Sequence, residues 1–303
     1  MTGVPLVDLG APDAPAVLDA AFRDVGFVMV TDHDVPAGLV DRTRDAFLRF
    51  FHLPADRKAA VRMPRLGMAG WAPMGMEANG YSFGHETPPD MKESYRLGAH
   101  ELPGRVALRG ANVWPEEPAG FRAAALEYLA AVDAVHLRIL ELCATALGLD
   151  DPGFFRRHAL RNDNTLNVNW YAPITHLGAP ADGQYRIGPH TDFGTITVLS
   201  REPRSSALQV QLPDGAWVDA PVVDGAFTVN CGDMMAHWSG GRWRSAIHRV
   251  LAPSAAEPDG ALLSLVYFCE PDPETMITPL GECGGETVNA GEYLAAKIAA
   301  ISM

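Results

Sequence analysis

The chain has 303 residues, of which 48% are hydrophobic and 20% are charged. This composition is typical of globular proteins and excludes disordered and collagen-like chains, and the length suits one large domain or two small ones. The formal net charge is −13. Because a surface of that sign repels a phosphate backbone, we do not expect nucleic acid as a partner.

The cysteines and the N-terminus indicate where the protein works. None of the cysteines has the spacing of a metal site or a redox motif, which is typical of buried thiols in a reducing cytoplasm. The chain begins without a basic and then apolar leader, and no window approaches the ~18 consecutive apolar residues of a membrane span. We therefore expect a cytoplasmic protein, monomeric or weakly homo-oligomeric, that acts on a small molecule and contacts no membrane. The cysteines are Cys143, Cys231, Cys269 and Cys283.

Residues 1–115 are predicted to form a helical and loop region. Apolar residues at helical spacing favour two helices, and short apolar runs before and between them are typical of strands. The stretch 63–90 is rich in Gly, Pro and Met, a composition typical of a long loop of the kind that often carries function. The predicted elements are a strand at 4–8, a helix at 13–25, a strand at 27–30 and a helix at 37–52.

A long scaffold helix is predicted next, within the segment 116–160. Apolar residues repeat there at helical spacing from about 118 to 149, which corresponds to roughly eight turns. The segment 161–280 then changes to short β-rich runs separated by Gly, Pro, Asp and Asn, a pattern typical of a barrel or jelly roll. A last helix is predicted in the segment 281–303.

A histidine and a carboxylate two residues apart, His190 and Asp192, open one of the β-rich runs. Side chains at i and i+2 of a strand lie on the same face, so both groups can bind one metal ion. His248, in a later β-rich run, is the candidate third ligand. Two histidines and one carboxylate leave three positions of an octahedron open, which suits Fe(II) oxygen chemistry. The spacing alone leaves open that both histidines are ordinary hydrogen-bonded residues.

Segments spread in order along nearly the whole chain resemble the isopenicillin N synthase-like family of Fe(II) and 2-oxoglutarate-dependent oxygenases. The resemblance implies a mixed α/β, mainly β fold, with a double-stranded β-helix (jelly-roll) core, flanking N-terminal helices and a long scaffold helix. Since the matches run from Val4 to Leu280, it favours a single oxygenase domain over residues 1–303. The matching segments are VPLVDL, GFVMVTDHDVP, FFHLPADRK, GWAPMGMEA, PPDMKESYRLG, NWYAP, HTDFGTITVL, LPDGAWVDAP, VNCGDMMAHWSGGRWRSAIHRV and SLVYFCEPDPETMITPL.

The resemblance also implies a reaction and its site. Iron would be held by His190, Asp192 and His248, and 2-oxoglutarate and O₂ would be the cosubstrates of a non-haem Fe(II) dioxygenase. Asn169 and Tyr171, in NWYAP, fall where the family contacts the oxoacid. The substrate would be a small molecule of specialised metabolism, oxidised by hydroxylation, desaturation or cyclisation.

One position departs from the family pattern. An Arg-x-Ser motif usually follows the distal histidine, and its arginine pairs with the far carboxylate of 2-oxoglutarate. Here Ser264 is present, but Leu262 stands in the arginine position. Because leucine offers no donors and burying a carboxylate against it is costly, we expect another arginine to replace it: Arg186, Arg242 or Arg244. Two alternatives remain, an Fe(II) oxidase of isopenicillin N synthase type that uses no 2-oxoglutarate and a non-catalytic ligand-binding sensor on the same fold.

Candidates for the substrate pocket come from the Met-rich loop and from aromatic residues predicted to face the barrel. Such a set is also typical of a plain core. If it lines the pocket, the substrate has a sizeable apolar part. The candidates are Met74, Tyr81, Phe193, Trp238 and Phe268. The cations that could pair with a substrate carboxylate are Arg62, Arg65, Lys92 and Arg96, and the sequence does not select among them.

Overall fold

The computed structural model describes residues 3–78, 88–107, 110–162, 164–202, 207–253, 260–281 and 285–301. The helices are α1 (Ala14–Asp24), α2 (Ala37–Phe51), α3 (Ala55–Ala59), α4 (Phe121–Ala146), α5 (Phe154–Arg157), α6 (Ile174–Leu177), α7 (Asp233–Trp238) and α8 (Ala290–Ile301). The strands are β1 (Leu6–Asp8), β2 (Phe27–Thr31), β3 (Gly70–Ala72), β4 (Glu93–Gly98), β5 (Thr165–Tyr171), β6 (Ile187–His190), β7 (Ile196–Ser200), β8 (Leu208–Gln211), β9 (Trp217–Asp219), β10 (Phe227–Cys231), β11 (His248–Val250), β12 (Leu262–Cys269), β13 (Met276–Ile277) and β14 (Val288–Asn289).

The helices α1 and α2 pack on the long helix α4. In α1, apolar residues at helical spacing, Ala14, Leu18, Ala21 and Phe22, are the buried ones. Helix α4 has 26 residues and at 1.5 Å per residue is about 39 Å long. The predicted scaffold helix is therefore present and lies within the predicted 118–149.

Two sheets form the β-rich part. The larger has eight strands in the order β1-β2-β10-β7-β12-β5-β4-β3, and the smaller has four in the order β6-β11-β8-β9. Along β12 the burial alternates, as expected when one face of a strand packs on helices and the other lines a cavity. The face packed into the main hydrophobic core carries Leu263, Leu265, Tyr267 and Cys269, and the alternate positions, Leu262, Ser264, Val266 and Phe268, line a cavity.

This arrangement is the predicted mixed α/β fold with a jelly-roll core and flanking helices. One detail was not predicted: β3 lies inside the stretch 63–90 that was expected to be a loop, and it pairs with β4 at the edge of the large sheet. Three residues are too few to show an alternating pattern in the sequence. No helix in the described part of the chain combines the length and apolarity needed to cross a membrane.

Close backbone contacts position the segment that follows β6. The amide of Asp233 donates to the carbonyl of Asp192 at 2.8 Å, and the amide of Gly232 donates to the carbonyl of Thr195 at 2.8 Å. A Cβ atom on Gly232 would lie 2.3 Å from the carbonyl oxygen of Gly194. Only glycine therefore fits at position 232 without a backbone shift. The hydrogen bond from the amide of Asp233 holds the main chain at Asp192.

Candidate active site

The three predicted metal ligands come together where β6 meets β11. These strands are antiparallel, and His190 and His248 are direct cross-strand partners. Asp192 lies two residues beyond His190, and its Oδ1 atom is 3.8 Å from Nε2 of each histidine. One ligand atom from each residue lies within 4.8 Å of the other two. All three side chains therefore face one point.

Hydrogen bonds fix how each ligand points. The Nδ1 atom of His190 lies 2.8 Å from the carbonyl oxygen of Gly188, and Nδ1 of His248 lies 3.1 Å from that of Ala246. A proton on each Nδ1 satisfies these carbonyls and leaves the Nε2 lone pairs free for a metal.

Hydrogen bonds to Oδ2, the second oxygen of the Asp192 carboxylate, hold this side chain in place. Oδ2 accepts hydrogen bonds from the hydroxyl of Thr197 at 2.6 Å and from the amide of Asn230 at 2.8 Å, which leaves Oδ1 towards the histidines. Burial alone would raise the pKa of Asp192, but His248, His190 and these two hydrogen bonds outweigh it and lower the pKa. The carboxylate is therefore ionised.

These residues fit a divalent iron ion. Burial lowers the pKa of His248 to about 4 and also lowers that of His190, so both imidazoles are neutral and able to bind metal at neutral pH. Two neutral imidazoles and one carboxylate on one side of an ion form the facial triad of non-haem Fe(II) oxygenases. The remaining positions are left for cosubstrates.

Two cavities meet at this triad, and His190 and Asp192 line both. The first, of about 700 Å³, lies between the two sheets, and its walls include Tyr171, Leu262 and Ser264. The second, of about 710 Å³, is bounded by β4, β5 and the C-terminal helix α8. The metal ligands can therefore be reached from two cavities.

The predicted oxoacid residues line the first cavity. Tyr171 is fully buried and hydrogen-bonded to Ser264 and Asn169, and burial raises its pKa. In the sheet register Leu262 lies opposite Tyr171, and Ser264 lies opposite Asn169. Asn169 lines both cavities. These residues form one polar end of an otherwise largely apolar cavity.

Of the three replacement arginines, only Arg186 lies beside this polar end. It is buried, its guanidinium stacks over the Tyr171 ring at 5.8 Å, and its Nη2 atom donates to the carbonyl of Gly260. The predictions for Arg242 and Arg244 are wrong. They rested on strand alternation from His248, but β11 begins only at His248, so the alternation does not apply to the residues before it.

Both misassigned arginines contact α1 instead. Arg242 forms an exposed ion pair with Asp19 at 2.8 Å. The Nη1 atom of Arg244 donates to the carbonyl of Asp24 at 3.4 Å. A fourth cation, Arg201, was missed: it lines the first cavity, but it donates to the hydroxyl of Thr228 and to backbone carbonyls.

The predicted substrate residues separate into two groups. Phe193 lines the second cavity, and Phe268 lines both. Met74 is 37% exposed and lines neither cavity. Trp238 packs against three ring side chains, Phe154, Phe155 and His158, and belongs to the core. Tyr81 lies outside the described residues. The prediction for Trp238 is therefore wrong, and Met74 lies at neither of these cavities, because aromatic and Met content does not reveal which way a side chain points.

Several polar residues of the second cavity escaped prediction. Glu77, Asn167 and Glu270 line it together with Lys92 and Arg96, two of the cations considered from the sequence. The signal that could have found the cations is the alternation of polar residues in the segment PPDMKESYRLG, where Lys92 and Arg96 are an even number of residues apart. Glu77 gave no such signal, because it reaches the cavity from a distant loop.

Comparisons with known proteins agree with this site. Residues 4–117 match the family described as non-haem dioxygenase in morphine synthesis N-terminal, and residues 163–271 match the 2OG-Fe(II) oxygenase superfamily. Validamycin A dioxygenase of Streptomyces hygroscopicus subsp. limoneus is 39% identical over 98% of this chain and 86% of its own length. Gibberellin 2-beta-dioxygenase of Phaseolus coccineus is 31% identical over 92% of this chain and 80% of its own length.

Solved structures agree as well. A full-length Neurospora crassa protein, solved in complex with alpha-KG, superposes with a TM-score of 0.83 at 27% identity, covering 98% of this chain and 96% of its own. The ordered sequence matches, the jelly roll and the buried two-histidine, one-carboxylate triad thus agree. The chain belongs to the 2OG-Fe(II) oxygenase superfamily, and it is a dioxygenase that uses Fe(II), 2-oxoglutarate and O₂ to oxidise a small molecule.

Proposed function

We propose that this dioxygenase binds 2-oxoglutarate in the first cavity, with Arg186 replacing the arginine missing at position 262, and oxidises a C–H bond of a small molecule of specialised metabolism held in the second. The observation that carries this proposal is the pair of cavities of similar volume that share His190 and Asp192. The chain 1–303 acts in this proposal as a single oxygenase domain.

The protein's own residues hold and orient the reactants. His190, Asp192 and His248 would bind the iron, which together with 2-oxoglutarate and O₂ supplies the oxidising power. Thr197 and Asn230 keep the Asp192 carboxylate turned towards the histidines. The ligands are surrounded by protein, which limits access of bulk water to the reacting atoms.

The position of Arg186 supports its role as the cosubstrate anchor. The side chain of Leu262 cannot donate hydrogen bonds. Arg186 reaches the same end of β12, because it contacts the carbonyl of Gly260 and the ring of Tyr171. Tyr171 is the cross-strand partner of Leu262. Its guanidinium thus comes from the segment before β6 and not from β12. Together with the hydroxyls of Tyr171 and Ser264, which line the cavity, it would offer the donors that a carboxylate needs.

Binding of 2-oxoglutarate to the Mn(II)-loaded protein, measured by calorimetry, tests the anchor. Removing a hydrogen bond to a charged partner costs about 1.5–3 kcal/mol, so Arg186→Leu should weaken binding about 10- to 150-fold. Adding Leu262→Arg to this variant should restore much of the affinity. Arg242→Leu, an exposed arginine, is the control and should bind normally. Unchanged affinity in Arg186→Leu, with Mn(II) bound as tightly as in the parent, would remove Arg186 from the account.

Validamycin A, which the 39% identical relative is named for, is the first substrate to test. We expect succinate to form in step with a new product, and mass spectrometry of that product will separate hydroxylation from desaturation and cyclisation. Succinate formation that no added small molecule stimulates would argue against the proposed substrate.

We also propose that the protein works in the cytoplasm as a monomer or weak homo-oligomer, without nucleic acid or membrane partners. The cysteines that the structure describes, Cys143, Cys231 and Cys269, are buried free thiols, as expected in a reducing compartment. The net charge of −13 supports the absence of a nucleic acid partner.

A further inference from the structure

The second cavity has one strongly polar wall, which we call the polar wall. It is built by two adjacent strands and a loop: Ser94 lies opposite Asn169 and Arg96 opposite Asn167 in the register of β4 and β5. Its members are Glu77, Lys92, Arg96, Asn167 and Asn169.

The side chains of the polar wall form one connected network. Lys92 forms an ion pair with Glu77 and donates to Asn169 at 3.3 Å. Asn167 donates to Asn169 at 2.9 Å, and Arg96 donates to Asn167 at 3.4 Å. Since these residues are largely buried, the wall is a preorganised surface of donors and acceptors and not a solvated patch.

The charges of the network are balanced. Burial alone would raise the pKa of Glu77, but Lys92, Arg96 and the hydrogen bonds lower it to about 2, so Glu77 is ionised at neutral pH. Apart from the metal ligand Asp192, the described lining carries two carboxylates, Glu77 and Glu270, which are matched by two cations, Lys92 and Arg96. A substrate carboxylate would find no surplus positive charge here. A wholly apolar substrate would displace water from these polar groups and would not replace the hydrogen bonds that the water made.

Other lining residues of the same cavity are apolar. Phe193, Phe268, Leu294 and Ile298 line it, and aromatic and aliphatic side chains pack well against the C–H face of a saturated ring. The cavity therefore presents both hydrogen-bonding groups and a hydrocarbon surface. That combination matches a ring that carries several hydroxyl groups.

We propose that the second cavity binds a polyhydroxylated ring compound, a cyclitol or a sugar-like molecule without a carboxylate. Its hydroxyls bond to the polar wall, and its ring C–H bonds rest on the apolar lining residues. The inference rests on the proposed function and names its substrate class. It differs from the sequence-based expectation of a sizeable apolar substrate, because Phe193 and Phe268 are the only two of the predicted substrate residues within the described part of the chain that line this cavity.

Ligand-observed saturation-transfer NMR on the Zn(II) protein with 2-oxoglutarate bound tests this proposal. The probes are trehalose and myo-inositol as polyols, with indole-3-acetic acid as an apolar carboxylic acid. We expect saturation transfer to the polyols, concentrated on their ring C–H protons, and little to indole-3-acetic acid. Transfer to indole-3-acetic acid alone, or to no probe, would overturn the proposed class.

Variants link the binding to the polar wall. Arg96→Leu and Asn167→Leu each remove a donor, so polyol affinity should fall about two- to tenfold and by more than the affinity for 2-oxoglutarate. Arg49→Leu, an exposed arginine of α2, is the matched control and should change neither. Polyol binding that survives both wall variants unchanged would overturn the inference. Loss of metal-dependent 2-oxoglutarate binding in the parent protein would instead contradict the proposed function.

Discussion

The hydrogen bond from Thr197 to Asp192 offers a sensitive test of how the metal site is organised. Thr197 is buried, and its hydroxyl lies 2.6 Å from Oδ2, the oxygen that points away from the histidines. The change Thr197→Val keeps the side-chain shape and removes only this donor. Asp192 then retains a single orienting hydrogen bond, from Asn230.

The expected loss follows from the ionised state of the acceptor. A hydrogen bond to a charged group contributes about 1.5–3 kcal/mol, and losing an outer contact of this kind typically weakens metal binding about 10- to 100-fold. We therefore expect Thr197→Val to bind Fe(II) or Mn(II) about 10- to 100-fold more weakly, with 2-oxoglutarate binding reduced only through the loss of metal. Anaerobic metal titration measures the effect.

Thr195 supplies a matched control two residues away. It is equally buried, but its hydroxyl donates to the carbonyl of Cys269 at 2.9 Å and not to a metal ligand. Thr195→Val should lower the free energy of unfolding by about as much as Thr197→Val does. It should leave the metal affinity close to that of the parent protein. Equal metal affinities in the two variants would refute the view that Thr197 orients the Asp192 carboxylate.

Two further predictions concern stability. Lys58 and Glu93 form a buried ion pair at 2.7 Å, so Lys58→Met, which leaves the carboxylate without its cation, should cost about 3–5 kcal/mol in chemical unfolding. Adding Glu93→Gln should recover part of this loss, and a double variant no more stable than the single one would contradict the explanation. A Cβ on Gly194 would lie 2.3 Å from a backbone carbonyl oxygen, so Gly194→Ala should lower both the melting temperature and metal affinity. Gly38→Ala, whose added Cβ meets nothing closer than 3.8 Å, should be nearly neutral, and similar melting temperatures would argue against the steric account.

The metal ligands could be predicted because their signal is largely local. The spacing of His190 and Asp192 already places both on one face of a strand, and the order of the matched segments supplied His248 as their partner. Arg186 was proposed from its position four residues before His190, and the structure places it beside Tyr171. Strand alternation failed for Arg242 and Arg244, because the chain becomes a strand only at His248.

The second cavity could not be predicted in the same way. Glu77 meets Lys92 through the path of a loop, and no local pattern encodes that contact. Composition suggested an apolar pocket from Met74 and Trp238, yet one is exposed on the surface and the other is buried in the core. Side-chain direction in loops and short helices depends on tertiary packing, which the sequence pattern does not carry.

A crystal structure of the anaerobic Fe(II) protein with 2-oxoglutarate tests the central claim most directly. We predict iron bound by His190, Asp192 and His248, with the far carboxylate of 2-oxoglutarate in the first cavity and within hydrogen-bonding distance of Arg186 and Tyr171. A carboxylate anchored by Arg201, or an oxoacid lying in the second cavity, would contradict the account.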